Sequence, residues 1–119
     1  MVSYLKFFLL FFSVNFIFIA NAFAELSAPN MQLTVVNENV SISWEPVPNA
    51  TGYELFYAPY PDQQPVQSVD IGNTQNFSAN LWDGAAFYVA VRAYSETEDS
   101  QFSNIEYFII QSGLSFDPT

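Results

Sequence analysis

The sequence predicts an all-β domain, a seven-stranded antiparallel sandwich of two packed sheets. Three observations carry this reading. Apolar and polar residues alternate with period two, most cleanly where Val40, Ile42 and Trp44 interleave with Ser41 and Ser43. Pro, Asn and Gly punctuate the runs at spacings of about 8–12 residues, the rhythm of short strands and turns. No segment after residue 24 shows a helical period.

The first 24 residues stand apart from this pattern. Met1 to Lys6 carries one cation, Phe7 to Ala20 is an apolar run broken by Ser13 and Asn15, and Asn21-Ala22-Phe23-Ala24 ends in an A-x-A site. This is the layout of a secretory signal peptide. The run is short against the roughly 20 apolar residues that span a bilayer, and an uncleaved anchor is the alternative. Export would place the product in a periplasm, at a cell surface or outside the cell, with no membrane contact beyond the signal. Removing 24 of 119 residues leaves 95. We expect the folded domain over 25–111 and a flexible tail over 112–119.

In those 95 residues Arg92 is the sole cation against twelve Asp and Glu, a formal charge of −11. Such a surface repels phosphate backbones, which excludes nucleic acid as a partner. Cys and His are both absent. The domain must therefore hold by packing without disulfides, and thiolate and imidazole chemistry are removed. We expect no cofactor and no metal.

The elements follow in order. Pro29 disfavours helix in the lead from Glu25 to Asn30. Met31 to Val36 is a first strand, and Asn37-Glu38-Asn39 a turn. Val40 to Trp44 is the second strand, ended by Pro46 and Pro48, which cannot donate to a ladder. After Asn49-Ala50-Thr51-Gly52, residues Tyr53, Leu55 and Tyr57 alternate with Glu54, Phe56 and Ala58. Pro59, Pro61 and Pro65 bracket a loop. Val66 to Ile71 and Gln75 to Ala79 are two further short strands around a Gly72-Asn73 turn. Leu81-Trp82-Asp83-Gly84 makes a corner. Phe87, Val89, Val91 and Ala93 alternate with Tyr88, Ala90, Arg92 and Tyr94. An acidic loop runs from Ser95 to Ser100, and Phe102 to Ile110 is the last strand.

Taken in order, these residues resemble a fibronectin type III domain. Trp44 closes the second strand, Pro46-Val47-Pro48-Asn49-Ala50 follows, and Gly52-Tyr53 opens the third. Leu81 and Gly84 precede Phe87-x-Val89-x-Val91-x-Ala93, and Ser103 fits the polar residue that opens the family's last strand. The likeness covers about Pro29 to Ile110. It implies an immunoglobulin-like sandwich and a non-catalytic module. It also places Phe87 where the family has its corner tyrosine, so that the corner loses about one buried hydrogen bond, roughly 1 kcal/mol. The loop before the last strand lacks the Arg-Gly-Asp tripeptide through which some members bind cells.

The interior set is Val40, Ile42, Trp44, Tyr53, Leu55, Tyr57, Phe77, Leu81, Phe87, Val89, Val91 and Ala93. On the opposite parity, Glu54, Phe56, Ala58 and Tyr60 face outward on the third strand, and Tyr88, Ala90, Arg92 and Tyr94 on the sixth. The resemblance makes these strands neighbours. Their outer faces would then join Phe56, Tyr60, Tyr88 and Tyr94 in an aromatic patch, with Glu54 and Arg92 paired across it. Such a patch suits contacts with protein, including a second copy, or with sugar. The plainer explanation is that large β-formers favour strand surfaces. Trp82 is a further exposed candidate, or a cap on the core. Glu96, Glu98 and Asp99 lack a calcium-loop spacing and read as a solvated loop. No pair of carboxylates sits in an evident cleft, so an enzyme is not expected. Asn39, Asn49 and Asn76 begin Asn-x-Ser/Thr tripeptides, relevant only in a eukaryotic source. The function expected is an exported binding or adhesion module. The alternatives are a carbohydrate-binding accessory protein, using Tyr60, Tyr88, Tyr94 or Trp82, and a passive spacer of the cell envelope.

Overall fold

The structure, a computed structural model, describes residues 25–111. The signal peptide expected over 1–24 and the tail expected over 112–119 lie outside these residues. Seven strands form: β1 (Met31–Val36), β2 (Asn39–Trp44), β3 (Gly52–Pro59), β4 (Gln67–Gly72), β5 (Asn76–Asn80), β6 (Ala86–Tyr94) and β7 (Glu106–Ile109). They build a three-stranded sheet in the order β1-β2-β5 and a four-stranded sheet in the order β4-β3-β6-β7. Every pairing is antiparallel. Among the described residues no helix is long and apolar enough to cross a membrane.

The inner faces meet as the alternation demands. Val40, Ile42 and Trp44 from β2 pack with Tyr53 and Leu55 from β3 and Val89, Val91 and Ala93 from β6. The rings of Trp44 and Tyr53 lie 5.4 Å apart, tilted by 58°. Tyr57, Phe77, Leu81 and Phe87 are half-buried on the rim of this core rather than inside it. Leu26, Met31, Val47, Ala85, Phe108 and Ile110 are also in the core, although the alternation did not single them out. Leu26 and Val47 lie in connections, where there is no period to read.

Strand ends shift by a residue or two from expectation. Asn39 opens β2, since it pairs with both Val36 and Asn80. Pro59 closes β3, and β4 and β5 each start one residue later than expected. The larger difference is the last strand, which spans only Glu106–Ile109. Upstream of it two buried serines do the pairing. Ser103 donates its N–H to the Val91 carbonyl at 2.8 Å, and its hydroxyl accepts the Val91 N–H at 2.9 Å. Ser100 treats Ala93 identically, at 2.8 and 2.9 Å. Hydroxyls thus replace two carbonyls of a regular ladder, so the backbone groups of β6 stay satisfied where no strand lies beside them.

The corner between β5 and β6 is also closed differently. Phe87 is half-buried there, with the rings of Trp82, Tyr57 and Phe108 about it at 6.0, 6.1 and 6.1 Å. Backbone bonds hold the turn: Gly84 N–H donates to the Ile110 carbonyl at 2.8 Å, and Ile110 N–H to that of Ala85 at 2.7 Å. The tyrosine that ties down a connection is Tyr53, whose hydroxyl accepts the Val47 N–H at 2.8 Å. The two sheets are stitched at one edge by Asn104. Its carboxamide accepts the Met31 N–H at 2.8 Å and donates to the Met31 carbonyl at 2.9 Å.

Candidate functional site: a groove on the outer face of the four-stranded sheet

Register decides the shape of this face. Phe56 lies opposite Ala90, and Ala58 opposite Tyr88. A large ring therefore sits diagonally across from another, with an alanine beside each. Ala58 and Ala90 were expected to face outward as exposed residues, yet each is only 6% exposed. Their short side chains form a floor from which the neighbours rise. The result is an open groove of about 340 Å³, walled by Phe56, Tyr88, Phe102, Val66, Ile105 and Gln63. Phe102, Val66 and Ile105 are exposed.

One end of the groove is a charge cluster. Arg92 Nη2 lies 3.0 Å from Glu54 Oε1, the cross-strand pair the register sets. It also lies 3.7 Å from Asp99 Oδ2. The guanidinium carbon is 4.9 Å from the centre of the Phe56 ring and 5.4 Å from that of Phe102. Those two rings meet edge to face at 4.9 Å. A planar, weakly hydrated guanidinium suits such a slot, and its Nε is buried without a hydrogen-bond partner among the described residues.

The other end is a tyrosine cluster. Tyr60 stacks on Tyr107 at 4.5 Å with 6° between planes, and lies 5.1 Å from Tyr88. Burial, then the neighbouring Tyr107 and Tyr88, raise the Tyr60 phenol above its ordinary pKa. Tyr94 stands apart from both groups. Its ring lies over Gly52, where an added Cβ would collide with it, and its hydroxyl donates to Asp70 Oδ1 at 2.8 Å. That bond raises the Tyr94 pKa, with burial adding to it. Asp70 is lowered, first by the Gly72 N–H at 2.9 Å and then by Tyr94.

Of the residues singled out from sequence, Phe56, Tyr60, Tyr88 and Arg92 line or flank the groove. Tyr94 is held away by Asp70, and Trp82 belongs to the β5–β6 corner, 61% exposed and edge-on to Phe87. Phe102, Ile105, Tyr107, Val66 and Gln63 were missed. For Tyr107 a signal existed, since β7 borders β6 and Tyr107 pairs with outward Tyr88. Gln63 lies in a loop that carries no period, and Val66, expected to open the fourth strand, lies just ahead of it. Among the described residues no group of three acidic side chains is placed to hold a metal ion; Asp99 of the acidic loop turns toward Arg92 instead.

This architecture is that of the fibronectin type III fold. The third fibronectin type III domain of the human KIAA0343 protein superposes with a TM-score of 0.63 at 18% identity, covering 80% of this chain and 88% of that one. The fibronectin domains of chicken CNTN1 give 0.61 at 20% identity, covering 72% of this chain and 31% of theirs. A fibronectin type III domain of human collagen XX gives 0.57 at 17% identity, covering 73% and 97%. No family model matches the sequence. A Kelch domain-containing protein of Saccharolobus solfataricus is 33% identical over 70 residues, 58% of this chain. The chain spans only 9% of that relative's length.

Proposed function

We propose that this chain is an exported, non-catalytic module that docks a protein partner on the outer face of its four-stranded sheet. The observation that carries the reading is the apolar groove over Ala58 and Ala90. Domains of this fold serve generally as interaction or spacer modules, and a passive spacer has no use for exposed Phe102, Val66 and Ile105 around one depression. Side chains of this kind, clustered and concave, make anchoring pockets at interfaces. The test is a photo-reactive phenylalanine analogue introduced at Ile105 in the source cell, with the same group at exposed Val36 on β1 as control. A discrete adduct with one polypeptide from position 105 and none from position 36 supports the reading. Equal labelling from both positions refutes it.

Sugar binding is the second reading, and Trp82 favours it. Tyr60 and Tyr107 cover each other's faces, whereas Trp82 is largely exposed. Quenching of Trp82 fluorescence by soluble polysaccharides, lost in Trp82→Ala, is the outcome it requires.

A further inference from the structure

The groove's apolar floor is bordered by acid, and this narrows what it can hold. At one end Glu54 faces Asp70 across β3 and β4, and Asp99 joins them through Arg92. Three carboxylates there stand against one guanidinium. Along the remaining rim exposed Asp62 adjoins the lining residue Gln63, whose N–H holds the Pro59 carbonyl at the end of β3. The wider surface has the same sign. Setting aside Asp117, eleven Asp and Glu fall among the described residues, with Arg92 the single Lys or Arg. That guanidinium is already paired within its own chain. A second copy would therefore bring carboxylates to carboxylates with no uncommitted cation, a repulsive encounter.

We infer that the occupant of the groove is a cationic, extended polypeptide segment with an aliphatic or proline anchor between two basic side chains. The inference rests on the protein-docking reading above and adds the chemistry of the partner. Geometry sets the spacing. Glu54 and Pro59 bound the groove along β3, five residues or about 17 Å apart at the rise of a strand. An extended ligand running beside β3 reaches acid at both ends when its lysines or arginines are four or six residues apart, the even spacings nearest this span that put both on one face. The apolar residue between them then lies over Ala58 and Ala90, with Phe56, Phe102 and Tyr88 against its sides. Opposite charge at the rim raises the rate of encounter and discriminates against acidic partners, while the floor supplies desolvated contact.

The experiment is a titration of the ¹⁵N-labelled protein with three synthetic peptides sharing a Leu-Pro centre. They carry lysine, serine or glutamate at the two flanking positions. The expected result is movement of the Ala58, Tyr88 and Ala90 amides with the lysine peptide. Its affinity should be about tenfold above the serine peptide at low salt and fall toward it at high salt. Asp62→Asn should weaken the lysine peptide alone. Equal, salt-insensitive binding of lysine and serine peptides at these amides overturns the charge assignment and leaves the docking groove standing. Shifts confined to other residues overturn this ligand class. Movement of the same amides on simple concentration of the protein, with no peptide, makes a second copy the occupant and overturns the inference.

Discussion

Replacing Tyr53 with Phe isolates one hydroxyl. The ring stays, and with it the contact to Trp44. What is lost is the acceptor of the Val47 N–H, a 2.8 Å bond between residues that are 1% and 7% exposed. Water cannot take over at a site so enclosed. Leaving a buried donor unsatisfied costs about 1–3 kcal/mol. In a domain of this size each kcal/mol moves Tm by about 4–8 °C. A central value of about 2 kcal/mol therefore lowers Tm by about 8–16 °C. Urea titration should give the same free energy from a shifted midpoint at unchanged slope. Tyr57→Phe is the internal control, because Tyr57 sits on the same strand and contributes a half-buried ring against Phe87. Its effect should stay within about 0.5 kcal/mol. If the two variants are equally stable, the reasoning that Tyr53 anchors the β2–β3 connection is wrong.

Further outcomes follow from neighbouring contacts. Ser103→Ala removes the acceptor of the Val91 amide, should cost about 1–3 kcal/mol, and should speed hydrogen exchange at Val91 while Ala93, held by Ser100, stays protected. Tyr94→Phe removes one of two donors to Asp70, so the Asp70 carboxyl, followed by carbon NMR, should titrate closer to its ordinary value. The lowered Asp70 pKa means its contribution to stability is present above the ordinary carboxylate range and lost as pH falls through the folded value; the variant shrinks that acid-side loss. Tyr94 and Tyr60 have raised values, so their contributions are complete below the ordinary phenol range, about 10, and lost as pH rises through the folded values. Phenolate absorbance should show Tyr94 and Tyr60 titrating late in the native protein, with Tyr94 moving toward the ordinary range in Asp70→Asn. Gly52→Ala should push the Tyr94 ring off the backbone and produce the same titration change at Asp70 as Tyr94→Phe.

Much of the fold was legible because period two is a strong code. Val40, Ile42 and Trp44, and Val89, Val91 and Ala93, point inward as their alternation requires, and a slip of one residue would expose all of them. Outward parity was misleading at Ala58 and Ala90, because parity gives direction and not depth; an alanine beside two aromatic rings is covered whichever way it points. The short β7 was hidden since Phe102, Ile105 and Tyr107 to Ile110 make the whole of 102–110 read as one strand, while Ser100 and Ser103 imitate strand carbonyls in a way no composition rule marks. Cross-strand register explains why the expected patch became two groups. Glu54 and Arg92 could be paired from sequence, but Phe102 reaches Arg92 through a loop, and Tyr94 is drawn aside by Asp70 on a strand whose register sequence does not fix.

The Asn104 carboxamide has a mechanical meaning. It grips both backbone groups of Met31 at the head of β1, and it lies two positions ahead of β7. The head of β1 and the approach to β7 are thus fastened to each other by a single side chain. Tension on the lead ahead of β1 meets that fastening as soon as it reaches Met31, the first residue of the strand.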